Sequence, residues 1–186
     1  MSKEYAVISA IGTDRVGIVD DLSGLISEAG GNIEESKMAV LGGDFAVMML
    51  ISMEPSALAK LVAKRAEIES SLGLRLGIKP TTASSVRLDG RPYVLETVSL
   101  DGQGIVHAVS TVLRGHGINI EDLETSTEKA PLTGAPLFRM KAALVIGPEV
   151  SVAALRRELE ELEAGRELDV VLAPLGFSGR YSDGSR

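Results

Sequence analysis

Residues 12–19 read GTDRVGIV and residues 99–106 read SLDGQGIV. Asp14, Gly17, Ile18 and Val19 in the first stretch match Asp101, Gly104, Ile105 and Val106 in the second, at a constant offset of 87. The same offset needs no gap from Val7 to Glu34. It pairs Val7 with Val94, Ser23 with Ser110, Gly30 with Gly117, and Asn32-Ile33-Glu34 with Asn119-Ile120-Glu121. So many matches in one register read as two copies of a single unit, and a repeat governs the whole fold.

Each copy opens with a strand pattern, YAVISAIG at 5–12 and YVLETVSL at 93–100, rich in β-branched and aliphatic residues. A helix start follows. Asp14 is placed to cap the amide of Gly17, and Asp101 that of Gly104. Ile18, Leu22, Leu25, Ile26 and Ala29 then recur with helical period, as do Ile105, Val109, Val112 and Leu113. Gly30 and Gly117 stand where a helix end takes a left-handed residue. The first copy continues as a hairpin, 32–41 and 45–53 around Gly42-Gly43, and the second as 119–127 and 137–146 around a Pro/Gly loop.

A second helix is expected over Pro55–Leu72 and again from Ser151, a natural N-cap, to about Ala164. Short strands at 74–80 and 167–174 close the copies. The order β-α-β-β-α-β, twice, predicts an α+β protein of two ferredoxin-like units, each an antiparallel four-stranded sheet with helices on one face. The expected division is 1–80 for the first domain, 81–91 for a polar linker, 92–175 for the second domain and 176–186 for a mobile tail.

The bulk chemistry removes several function classes. The 186 residues carry a net charge of -7 with no Lys/Arg cluster, which argues against a nucleic-acid surface. There is no cysteine, so disulfides and thiol chemistry are absent. His107 and His116 have no carboxylate-rich motif around them, and no metal or cofactor is expected. No signal peptide or membrane-spanning apolar run is visible, which points to the cytoplasm.

GTDRVG lacks the glycine spacing of a dinucleotide fingerprint. LGGDF at 41–45 superficially resembles the GGDEF signature of diguanylate cyclases, but a tight hairpin explains its glycines. Glu34-Glu35 and Glu121-Asp122 begin strands, where neighbours point to opposite faces, so they form no acid/base dyad. The stretch 156–167, RRELEELEAGRE, reads as the solvated side of a helix. Catalysis has no visible machinery. What remains is the strand-to-helix turn: a helix N-terminus offers unpaired N–H groups to an anion, and Gly17 or Gly104 lets it approach. The plainer alternative is that the glycines relieve crowding and the aspartates only cap.

DRVGIV at the first turn and GGNIEE at the start of the second strand, in a β-α-β-β-α-β unit, resemble the ACT domain, a regulatory module that usually binds amino acids. The tandem pair is similar to the glycine cleavage system transcriptional repressor group. The resemblance implies an amino-acid effector, with glycine a candidate, bound at the first turn near an interface. By position it points to Gly12, Thr13, Asp14, Arg15, Val16, Gly17 and Ile18 with Asn32, and to Leu100, Asp101, Gly102, Gln103, Gly104 and Ile105 with Asn119. Gly102-Gln103 replaces Arg15-Val16, so the two sites need not be equivalent. The expected function is a non-enzymatic amino-acid regulator acting through a protein partner, with a homodimer the expected assembly. The alternative is a structural or interaction subunit that modulates a metabolic enzyme and keeps vestigial sites.

Overall fold

The computed structural model describes residues 3–82, 89–100, 103–131, 133–166 and 168–175. The chain divides into two compact units, residues 1–85 and 86–186.

The first unit runs β1 (Glu4–Thr13), α1 (Ile18–Glu28), β2 (Asn32–Leu41), β3 (Asp44–Met53), α2 (Pro55–Ala63), α3 (Arg65–Leu72) and β4 (Arg75–Thr81). Its four strands lie in the order β2-β3-β1-β4, every neighbouring pair antiparallel. The second unit runs β5 (Arg91–Leu100), α4 (Ile105–Gly115), β6 (Ile120–Lys129), β7 (Pro136–Ile146), α5 (Val152–Arg166) and β8 (Leu168–Pro174). Its order, β6-β7-β5-β8, repeats the first. The repeated β-α-β-β-α-β architecture expected from the sequence is the one observed.

Strand alternation decides what is buried. On β3, Phe45, Val47, Met49, Ile51 and Met53 form one core with Ile18, Leu22 and Ile26 of α1, Leu58 and Leu61 of α2 and Ile68 of α3. On β7, Met140, Ala142, Leu144 and Ile146 meet Ile105, Val109 and Leu113 of α4 and Leu155 and Leu159 of α5. The other face of the first sheet stays open, with Ile11 and Met48 more than half exposed.

Three details depart from the sequence reading. Strands β4 and β5 reach Thr81 and Arg91, so the expected linker is shorter at both ends; residues 83–88 and the expected tail, 176–186, lie outside the described residues. The helix expected over 55–72 is broken at Lys64 (φ -87, ψ 3), although no Gly or Pro stands there. The stretch 156–167 is not merely solvated. Arg156 Nη2 donates to the Leu172 carbonyl at 2.7 Å, and the Val170 amide donates to Glu163 Oε1 at 2.7 Å. Arg65 and Glu69 do the same for Leu76 on β4, at 3.4 and 2.8 Å. Side chains of the overlying helix thus occupy outward-facing backbone groups of edge strands β4 and β8, which blunts those edges against strand addition.

Candidate functional site

Between β1 and α1 the chain turns through Asp14–Gly17. The Asp14 amide donates to the Gly43 carbonyl at 2.9 Å, tying the turn to the β2–β3 hairpin. Gly17 is the N-cap of α1 at φ 93, and its carbonyl accepts the first helical bond from the Asp21 amide. Gly104 holds the same place before α4 at φ 82, with its carbonyl accepting from Ala108. Both positions need glycine for this left-handed backbone.

This corrects two expectations. No side chain caps α1, so Asp14 does not bond the Gly17 amide: the cap residue is the left-handed glycine itself. Nor do the glycines relieve crowding between helix and sheet. A Cβ on Gly17 would meet only Arg15 Nη1, at 3.9 Å, and one on Gly104 only Arg166 Nη1, at 3.7 Å. Asp101 and Gly102, the other half of the second turn, lie outside the described residues.

Those two arginines are the main feature of the site. Arg15 Nη1 donates to the Val16 carbonyl at 3.3 Å, while Nη2 reaches Asp21 Oδ2 at 2.7 Å and the Leu72 carbonyl at 3.4 Å. In the second unit Arg166, at the end of α5, donates from Nη1 to the Gln103 carbonyl at 3.5 Å. Val16 and Gln103 are equivalent under the 87-residue offset; Arg15 and Arg166 are not. A guanidinium therefore sits at the same spot beside both helix N-termini, supplied from the turn in one unit and from the far helix in the other. The sequence comparison missed this because it aligned Arg15 with Gly102. A basic residue ending the second helix was the available signal.

Around this spot the structure gathers the exposed Thr13, Asp14, Arg15, Val16 and Gly17 in one unit, and Gln103 and Gly104 in the other. Leu100 ends β5 and is exposed, whereas Ile18 and Ile105 are core residues. Gly12 pairs with Phe45 in the sheet, and a Cβ there would strike Leu74 Cδ2 and the Gly73 carbonyl oxygen at 2.8 and 2.9 Å. Asn32 is not brought to the turn. It pairs with Ser52, seven residues along β3 from the partner of Gly12, which is roughly 23 Å away at the usual strand rise. Asn119 precedes β6 at the corresponding end.

Asn32 instead joins a polar cluster that the sequence did not reveal. The β2–β3 register shifts at Glu34 and the β6–β7 register at Glu121, two bulges at equivalent positions. Ser52, almost fully buried, donates its hydroxyl to Glu34 Oε1 at 2.5 Å, and Asn119 Nδ2 donates to Glu121 Oε1 at 3.1 Å. The Ser52 hydrogen bond, then that of Asn32, holds the Glu34 carboxyl below its ordinary pKa.

Chemically the turns offer donors: guanidinium N–H groups and the unpaired amides and positive dipole end of a helix start, all suited to a carboxylate. Among the described residues no three His, Asp or Glu side chains stand together to hold a metal ion, and no helix is long and apolar enough to cross a membrane.

The ACT domain family model matches residues 4–79. The glycine cleavage system transcriptional repressor of Escherichia coli (strain K12) is 30% identical over 129 residues, covering 69% of this chain and 68% of that protein. A crystal structure of an unknown protein from Galdieria sulphuraria is 34% identical and superposes with a TM-score of 0.79, covering 94% of this chain and 100% of that one. A second crystal structure, of a candidate glycine cleavage system transcriptional repressor, shares the fold at 22% identity and a TM-score of 0.71, covering 94% of this chain and 99% of its own. The chain is a tandem ACT-domain protein and belongs to the family of the glycine cleavage system transcriptional repressors.

Proposed function

We propose that this protein is a non-enzymatic cytoplasmic regulator that binds a small amino acid, glycine being the first candidate, and passes the signal to a protein partner as a homodimer. The observation that carries this reading is the guanidinium held at equivalent carbonyls, Val16 and Gln103, beside both left-handed glycines. A ligand carboxylate would take the guanidinium and the first free helix amides, and Asp14 is an exposed acceptor for the ligand ammonium in the first unit. The net charge of -7 and the absence of a Lys/Arg cluster favour an indirect transcriptional role over direct contact with DNA.

One observation favours the second reading, an interaction subunit that modulates an enzyme with vestigial sites: Arg15 is already engaged by Asp21. A thermal-shift and calorimetric screen of the amino acids decides between them, because a ligand that binds only the folded state raises the melting temperature by mass action. Saturable stabilisation by one amino acid, lost in Arg15→Gln with Arg166→Gln, supports the regulator. No stabilisation by any amino acid at millimolar concentration supports the subunit. Light scattering checks the dimer, and only monomer at tens of micromolar would refute that part.

A further inference from the structure

The two units differ where their helices face each other. In the second unit α4 packs on α5, and His116, just past the end of α4, fills the space between them, its side chain only 15% exposed and its Nε2 3.2 Å from Glu158 Oε1. In the first unit the backbone of α1 stands farther from α2 and α3, which meet it only through the core side chains below. The residue equivalent to His116 is Ala29, which has no reach across the gap. The result is a groove of about 550 Å³ between α1 and the broken α2–α3 pair.

The lining of this groove combines three chemistries. Leu25, Ala29, Ala57, Leu61 and Ile68 give it an apolar floor, Lys60 and Lys64 contribute cations, and Glu28 and Glu67 contribute anions. Lys60 and Lys64 are one helical turn apart, so their ammonium groups share a side. Neither lysine makes an ion pair among the described residues, and neither do the two glutamates. The volume falls in the range of small-molecule sites, which are apolar pockets with a few placed polar groups. Leu61 and Ile68 are already more than nine-tenths buried, so the floor adds little of the exposed apolar area that a protein interface of about 800 Å² per partner requires.

We propose that this groove in the first unit is a separate binding site for an aliphatic α-amino acid. Lys60 and Lys64 take its carboxylate, Glu28 or Glu67 its ammonium, and the Leu25–Leu61–Ile68 floor its side chain. The groove then offers a partner for each charge of the zwitterion, and glycine, with no side chain for the apolar floor, is expected to be a weak ligand. The site does not use the β1–α1 turn and stands or falls independently of it.

Methyl-resolved NMR of the full chain, titrated with L-leucine, tests it. Saturable shifts of the Leu25, Leu61 and Ile68 methyls are expected. They should weaken at least tenfold for 4-methylpentanoate, which lacks the ammonium, and for 3-methylbutylamine, which lacks the carboxylate, and be absent with glycine. Ala29→Phe fills the groove and should abolish them. Lys60→Glu with Lys64→Glu, both at exposed positions, should do so without touching the core. Arg15→Gln should leave them unchanged, which separates this site from the turn. Unmoved methyls at 10 mM L-leucine, or shifts that survive both groove variants, overturn the proposal.

Discussion

Ser52, the residue opposite Asn32 in the ladder, donates its hydroxyl to Glu34 at the point where β2 bulges. This bond, followed by that of Asn32, lowers the Glu34 pKa from its ordinary 4.5. A carboxylate whose folded pKa is depressed contributes stability that is full above its unfolded pKa and is lost as pH falls through the folded value. The melting-temperature difference between the parent and Glu34→Gln is therefore expected to be larger at pH 7 than at pH 3. In Ser52→Ala the Glu34 titration, followed by carboxyl NMR, should move back towards 4.5. A difference independent of pH would show the hydrogen bond to be unimportant.

Gly12 and Gly17 are five residues apart and are glycine for different reasons. Gly12 has no room, since a Cβ would overlap Leu74 and the Gly73 carbonyl; Gly17 has room but sits at φ 93. Gly17→Ala is expected to cost about 1–2 kcal/mol through left-handed strain, with no repacking. Gly12→Ala meets backbone, and overpacking of this kind costs about 1–3 kcal/mol and shifts neighbours. Chemical-shift changes around Leu74 should appear in Gly12→Ala and be missing in Gly17→Ala. The reverse pattern would contradict the geometry.

The fold was legible because its determinants are local and were written twice. Strand alternation, the apolar period of α1 and α4, and the left-handed Gly30 and Gly117 each act over a few residues. The site was legible only in its backbone half. The glycine turns show in sequence, but Arg166 reaches Gln103 from 63 residues away, and no spacing rule links them. The paired bulges at Glu34 and Glu121 were hidden for a similar reason: a register shift depends on the partner strand as much as on its own residues. The break at Lys64 left no local mark, as the apolar period of Leu58, Leu61, Ile68 and Leu72 continues straight through it.

Capping distinguishes two residues that the sequence treats alike. Ser151 Oγ accepts the Ala154 amide at 3.3 Å, a side-chain cap at the start of α5, whereas Asp14 makes no such bond at α1. Ser151→Ala is expected to destabilise the second unit by about 1 kcal/mol. Asp14→Ala, at an exposed position, should stay within about 0.5 kcal/mol of the parent. Denaturant melts of both variants check this. If Asp14→Ala nevertheless lowers amino-acid affinity, Asp14 acts on the ligand and not on the helix.

The two turns should not bind equally. Arg15 already spends its Nη2 on Asp21 and Leu72, and α1 carries Asp20 and Asp21 in its first turn, where they compete with a ligand carboxylate for the same positive end. Arg166 makes one long bond to Gln103 and pairs with no acid among the described residues, and α4 has no acidic residue in its first turn. Gly102-Gln103 replaces Arg15-Val16, so the two sites need not be equivalent, and the second turn is expected to be the better anion acceptor. Hydrogen bonds to charged groups contribute about 1.5–3 kcal/mol, so Arg166→Gln should weaken the tighter phase of amino-acid binding roughly ten- to hundredfold. Arg15→Gln should affect only the weaker phase. Asp21→Asn, which frees Arg15, should bring the first turn closer to the second. Calorimetry on the three variants, with the amino acid the screen selects, reads these phases directly. Equal losses from Arg15→Gln and Arg166→Gln, with no gain from Asp21→Asn, would mean that the guanidinium's existing partners do not set the affinity.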